Sequence, residues 1–253
     1  MSPRTLPLGH RDPSTPVIPI AAPGTWDRFV ETPSVVRDGS GGGLRLFYLG
    51  YADTGYVAPA IGVMDALDAD GRTWQRPAQP IYRAVAGAWD AALVTGPCGM
   101  LGPDGIWRVC FAGAGSTVGI GLLTSPDGIT WTASPSNPVL ERRLGAWDEA
   151  TLEPCVRYLG GKWWMWYSGH REPLGNSTRI GIGLATSTDG VHWTRAGNGP
   201  VLDAGAAGTW DDLRVLSPDV LEQPDGSLVM AAYGMSVSDP GHMLGAIGIW
   251  RSR

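Results

Sequence analysis

Residues 208–219 read GTWDDLRVLSPD. The same phrase stands at 24–34 as GTWDRFVETPS, at 87–98 as GAWDAALVTGPC and at 145–155 as GAWDEATLEPC. Trp-Asp therefore returns at Trp26-Asp27, Trp89-Asp90, Trp147-Asp148 and Trp210-Asp211, with spacings of 63, 58 and 63 residues. A period this long, filled with short strand-like runs, indicates a propeller or a similar array of sheets. What recurs in every unit is scaffold, and what breaks the repeat is where chemistry is sought.

Each unit follows one plan. A proline stands seven or eight residues after the tryptophan (Pro33, Pro97, Pro154, Pro218) and leads into a first strand. A second strand ends in an aromatic and Gly, as in LRLFYLG50, IWRVCFAG113, KWWMWYSG169 and SLVMAAYG234. A third carries Ile-Gly. In units one to three Asp-Gly then precedes a tryptophan, at Asp70/Trp74, Asp127/Trp131 and Asp189/Trp193. Asp-Gly between strands predicts a tight hairpin with positive φ at both turn residues. A fourth strand runs on to Pro-Ile81, Pro-Val139 or Pro-Val201. Unit four stops at Arg253 before that strand, while Pro16-Val17 precedes Trp26 by the matching interval. The N-terminal segment is therefore expected to supply the last strand of the last blade. Such closure leaves no long exposed sheet edge. The expectation is an all-β propeller, one domain over 1–253, with four blades of about four antiparallel strands and five blades as the alternative. The repeats are about 26–88, 89–146, 147–209 and 210–253 with 1–25.

Composition narrows the function. Apolar residues make 43% of the 253, with 37 Gly and 21 Pro, which suits a turn-rich globular β protein. A net charge of −5 without basic clusters argues against nucleic acid. No apolar run reaches the roughly 20 residues of a membrane span. MSPRTLPLGHRDPSTP lacks the apolar stretch of a signal peptide. Cys98, Cys110 and Cys155 form no CxxC pair, which fits a reduced, cytoplasmic setting. His10, His170, His192 and His242 show no ligand spacing, so no metal site and no cofactor is expected; the sequence is silent on a Ca²⁺ in the channel.

The units resemble the clan of five-bladed propeller glycosidases: arabinanases, β-xylosidases, invertases, levansucrases and the related mannoside phosphorylases. The resemblance rests on WDxxxxxxP, WWMWYSG169, IGLATSTDGVHW193 and the PVL that follows. It covers nearly the whole chain and is specific for the superfamily rather than for one family. Two departures stand out. Four units are visible instead of five, and unit one reads ETP33 where the clan carries a catalytic Asp-Pro. The resemblance implies a glycosidic-bond reaction on a small-molecule or oligosaccharide ligand. It also implies that Glu153, in LEP154, matches the clan's general acid.

Alternation along the inner strand places the residues one before and one after each proline on the channel face. The first set reads Thr32, Gly96, Glu153, Ser217, and the second Ser34, Cys98, Cys155, Asp219. The residues two beyond each proline (Val35, Gly99, Val156, Val220) are expected on the packed face. Glycoside cleavage needs two carboxyl groups, one to protonate the leaving oxygen and one to activate water or attack the sugar. Glu153 is the expected acid, with Asp219 or Glu31 as base or nucleophile. Candidate substrate contacts are His170, Arg171, Tyr51, Arg214, Thr95 and Cys155. Asp27, Asp90, Asp148 and Asp211 occur in every unit, so they are expected to accept backbone or indole hydrogen bonds that lock blades together. Trp164 is expected to face away from Trp163 and Trp166. Two rivals keep the fold: a non-hydrolytic acid–base reaction on a metabolite, and a non-catalytic sugar-binding propeller.

Overall fold

A computed structural model describes residues 16–39, 42–175, 178–238 and 245–252. Among the described residues there is no helix. The first sheet contains β1 (Phe29–Arg37), β2 (Leu44–Tyr51) and β3 (Ala60–Ala66), with β4 (Trp74–Gln75) and β5 (Tyr82–Arg83) both paired to β3. The second contains β6 (Leu93–Leu101), β7 (Trp107–Ala114) and β8 (Val118–Ser125), with β9 (Thr132–Ala133) and β10 (Leu140–Glu141) on β8. The third contains β11 (Ala150–Leu159), β12 (Lys162–His170), β13 (Ile180–Ser187) and β14 (Thr194–Arg195). A single parallel bridge, Ile180 to Arg214, continues it into β15 (Arg214–Glu222), β16 (Leu228–Met235) and β17 (Gly245–Arg251). The four sequence units are thus four antiparallel strand groups.

The recurring motifs have physical roles. Each Trp-Asp lies on the glycine that ends its unit's second strand. A Cβ at Gly50 would stand 2.7 Å from both Trp26 and Asp27, and Gly113, Gly169 and Gly234 are approached as closely by their own Trp-Asp pairs. On the third strand, glycine makes room for an aromatic of the second: a Cβ at Gly183 would lie 2.2 Å from Tyr167 Cζ. The Asp-Gly turns differ from the expected two-residue hairpin, because only Gly71, Gly128 and Gly190 take positive φ. The aspartate side chain folds over the turn instead. Asp127 accepts from Ile129 N and Thr130 N, and Asp189 from Val191 N and His192 N. In unit one Asp68, not Asp70, takes this part, accepting from the N–H groups of Asp70, Arg72 and Thr73.

The packing is face to face and sequential. Phe47 and Ile61 of group one pack with Val109 and Phe111 of group two. Cys98 and Leu122 of group two pack with Met165 and Tyr167 of group three. Trp166 and Ile182 of group three pack with Val215 and Val220 of group four. Val156 and Val220 are buried as expected, but Val35 is 57% exposed, because no sheet of the described residues covers that face of group one. Trp164 corrects the alternation expected for it: it stacks on Trp166, and Trp163 joins the opposite cluster, as period two requires. The expected N-terminal closing strand lies, for residues 1–15, outside the described residues. Pro16, Val17 and Ile18 take no strand and line a recess on group one with Leu44, Leu46 and Trp74. Among the described residues β17 pairs with β16 alone.

Asp27, Asp90 and Asp148 hold phenols or guanidiniums, and Asp211 the Thr209 hydroxyl, rather than the expected backbone or indole groups. Asp27 accepts from Tyr48 (2.7 Å) and pairs with Arg76 (2.8 Å), and Asp90 accepts from Tyr82 (2.8 Å). Asp148 is fully buried and accepts from Arg143, Arg195 and Tyr167 at 2.7–2.8 Å. Burial pushes its carboxyl up, but Arg143, Tyr167 and Arg195 outweigh that and hold it below the usual carboxylate range. Its stabilisation is therefore complete above the unfolded-state value of about 4 and is lost as pH falls through the lower folded-state value. Asp148→Asn leaves two guanidiniums facing a neutral group. It is expected to lose about 3 kcal/mol in urea unfolding and to flatten the acid limb of the stability–pH profile. Asp211→Asn, where no described guanidinium pairs with the carboxylate, should lose less than half as much.

Candidate functional site

Every inner strand is broken at its proline. The register of β1 with β2 slips between Glu31 and Ser34, of β6 with β7 between Thr95 and Cys98, of β11 with β12 between Leu152 and Cys155, and of β15 with β16 between Leu216 and Asp219. The residue before each proline is left-handed: Thr32 (φ 48°), Gly96 (φ 56°), Glu153 (φ 50°) and Ser217 (φ 54°). Three of these carry a side chain at a conformation that costs about 1–2 kcal/mol. The bulge re-aims these side chains, and all four line one cavity of about 470 Å³ where the groups meet.

Only Glu153 brings a carboxyl to this level. Its Oε2 accepts from Ser168 Oγ at 2.7 Å and from Ser217 N at 3.0 Å. Ser168 is buried, and its Oγ also accepts from Ser217 N at 2.9 Å. A buried serine and a backbone amide thus fix one oxygen. Oε1 takes no hydrogen bond from a described residue. Gly96 borders it: a Cβ there would lie 3.4 Å from Glu153 Cα.

Asp219 lines the same cavity from group four and pairs with Arg157 Nη2 at 2.6 Å. Arg157 is held in turn by the carbonyls of Val220 (2.8 Å) and Val156 (2.9 Å). Cys155 is buried in the cavity wall, its sulfur 3.8 Å from Asp219 Oδ1. Three expected site residues are thus brought together: Glu153, Asp219 and Cys155.

The others are placed elsewhere. Glu31 sits one residue before the cavity and accepts from Tyr51 (2.5 Å) and from Tyr56 at both oxygens (2.9 Å). The hydrogen bond to Glu31 is the main cause that raises both phenols above their usual range. Tyr51 is stacked between Phe29 and Tyr56. Thr95 stands opposite Ala112, just ahead of the second bulge. His170 is buried and its Nδ1–H donates to the Arg171 carbonyl at 2.9 Å. Arg171 lines a separate recess with Trp147, Arg179 and Asp203. Arg214 donates to the carbonyls of Thr178 and Gly175. Arg157 and Ser168 are site residues that the repeat pattern alone did not mark out. Arg157 had a signal: three residues beyond the proline the other units read Val36, Met100 and Leu221. Ser168 had none, since its role depends on reaching Ser217 in the next unit.

Gly96→Ala should therefore lose about 1 kcal/mol in urea unfolding, from the left-handed backbone alone. Gly197→Ala, where a Cβ meets nothing within 4 Å and φ is not left-handed, should be neutral or gain up to about 1 kcal/mol.

No family model matches the chain. It is similar to two uncharacterized proteins of Mycobacterium tuberculosis, MT1551 (strain CDC 1551 / Oshkosh) and Rv1502 (strain ATCC 25618 / H37Rv). Each is 28% identical over 172 residues, 66% of this chain and 54% of the relative, so the match spans about half the length of these relatives. Among solved structures, a complex of BT0996 with RGII aligns with TM-score 0.70 and 18% identity over 94% of this chain and 73% of its own. A thermostable family-43 glycoside hydrolase aligns with TM-score 0.66 and 15% identity, over 88% of this chain and 71% of its own. A glycosidase structure from Bacteroides thetaiotaomicron aligns with TM-score 0.66 and 15% identity, over 93% and 76%. At such identities the likeness is one of fold, and the fold is that of propeller-like glycoside hydrolases.

Proposed function

We propose that this chain is a carbohydrate-active enzyme that cleaves a glycosidic bond of a small oligosaccharide or glycoconjugate in the central cavity. The observation that carries the reading is the bulge at Glu153. It holds one carboxylate oxygen by Ser168 and Ser217 and leaves the other without a described partner, in a cavity also lined by a second carboxylate, Asp219. Glu153 would protonate the leaving oxygen. Asp219, oriented by Arg157, would take a proton from the attacking water or attack the sugar itself. Glu31, bound by two tyrosines, is the alternative second carboxylate. The fold shared with glycoside hydrolases supports the reading, as does the BT0996 neighbour solved as a complex with RGII.

The same proposal takes the four strand groups as four blades of one domain. Its seam lies between groups four and one, flanked by Asp219 and the group-one recess. We place the protein in a reducing, cytoplasmic setting, with its three cysteines unpaired.

One observation favours a second reading. Of the four equivalent left-handed positions, three carry no carboxyl: Thr32, Gly96 and Ser217. A single acid at that level suits a non-hydrolytic acid–base reaction on a metabolite.

A panel of aryl glycosides, assayed with and without phosphate, separates the two. The first reading expects release from at least one glycoside and a fall of about 10²–10⁴-fold in Glu153→Gln. Silence across the panel, with a metabolite still raising Tm, would sink it in favour of the second.

A further inference from the structure

Two thiols share the cavity wall and meet opposite surroundings. Cys98, on β6, accepts from Val156 N at 3.2 Å and lies 3.8 Å from Arg157 Nη1. Cys155, on β11, accepts from Val220 N at 3.3 Å and lies 3.8 Å from Asp219 Oδ1. Arg157 and Asp219 join the two thiols: Arg157 Nη2 donates to Asp219 Oδ1 at 2.6 Å, and each of these residues faces one sulfur. Around the pair stand Arg157 and Glu153 from β11, Asp219 from β15, and Cys110 directly opposite Cys98 on β7.

Cys98 therefore faces an amide and a guanidinium, both of which favour the anion. Cys155 faces a carboxylate, which disfavours it. The neighbouring Cys155 thiol, against burial and with help from Arg157 and Val156 N, pulls the Cys98 thiol below its usual range. The neighbouring Cys98 and burial push Cys155 well up, and burial pushes Cys110 up. A thiolate beside a protonated thiol in an open cavity is the arrangement of a reactive cysteine with its resolving partner.

We propose that Cys98 is a peroxide-reactive thiolate and Cys155 its resolving thiol, reached by small hydroperoxides through the central cavity. The Cys98 sulfur attacks the O–O bond. An S–O bond forms, the O–O bond breaks, and the leaving hydroxide takes a proton to become water. Cys155 then attacks the Cys98 sulfenic acid. The S–S bond forms, the S–O bond breaks, and a second water leaves with the Cys155 proton. Two electrons pass from the thiols to the peroxide. The product ties sheet two to sheet three beneath Glu153. The thiol reaction shares this cavity with Glu153 and Asp219 but needs no glycoside, only the hydroperoxide.

The test is to treat the folded protein with a few equivalents of hydrogen peroxide at pH 7, block the remaining thiols, and map peptides by mass spectrometry. The expected result is a Cys98–Cys155 disulfide with Cys110 still reduced. In Cys155→Ser, Cys98 should be trapped by dimedone as a sulfenic acid. That variant should fold, because Ser34 already makes the equivalent amide link to Gly99 in unit one at 3.1 Å. Cys98 staying as unreactive as Cys110, or pairing with any cysteine other than Cys155, would overturn the proposal. The wild-type map alone decides this, whatever the variant does.

Discussion

In units two to four the amide two residues beyond the inner-strand proline needs an acceptor, and the preceding sheet supplies it. Ser34 accepts from Gly99 N, Cys98 from Val156 N, and Cys155 from Val220 N, at 3.1–3.3 Å. Each link joins the residue after one proline to the residue two beyond the next. None adds much stability, since a made hydrogen bond contributes about 1 kcal/mol net. An unmade one at this depth would cost about 1–3 kcal/mol, so the links fix the relative height of neighbouring inner strands. All four bulges then fall at one level and surround one cavity. The row ends at Asp219, which has no following sheet. Its carboxylate is 77% exposed and turns to Arg157 instead. The end of a structural repeat thus becomes a charged group in the site.

The bulges oppose stability in the same places. Left-handed backbone at Thr32, Glu153 and Ser217 persists because apolar packing holds the strands, on both sides for Glu153 and on one side for Thr32 and Ser217. At Gly96 no such penalty arises, and the missing side chain leaves room beside Glu153. The scaffold therefore offers four equivalent places to aim a side chain at the shared cavity. Function follows from their being filled differently. Glu153 gains two donors from its neighbours, and one of these, Ser217 N, belongs to the bulge of the next unit. The same strain that aims the acid also brings the group that anchors it.

The two outer faces of the array differ from its interior. Val35 on group one and Ile247 and Ile249 on β17 are more than half exposed, whereas their counterparts between sheets are covered. The interior faces gain about 25 cal/mol for each Å² of apolar surface they cover. The two outer faces, among the described residues, forgo that gain.

The repeat alone determined the all-β units, the scaffold role of Trp-Asp, and the cavity-facing positions that include Glu153, Asp219 and Cys155. Those features are local: a period of two along a strand, and a glycine where Trp-Asp must lie flat. Tertiary structure decided the rest. That Asp148 holds Arg143 and Arg195, that Arg157 holds Asp219, and that Ser168 reaches Ser217 are pairings across strands and loops, most of them between residues far apart in sequence. Glu31 was drawn off to Tyr51 and Tyr56, and His170 to a backbone carbonyl, by loops whose paths carry no periodic signal. A repeat states what each sheet is made of. The rotation of one sheet against the next, set by how their apolar faces interlock, states which side chains meet.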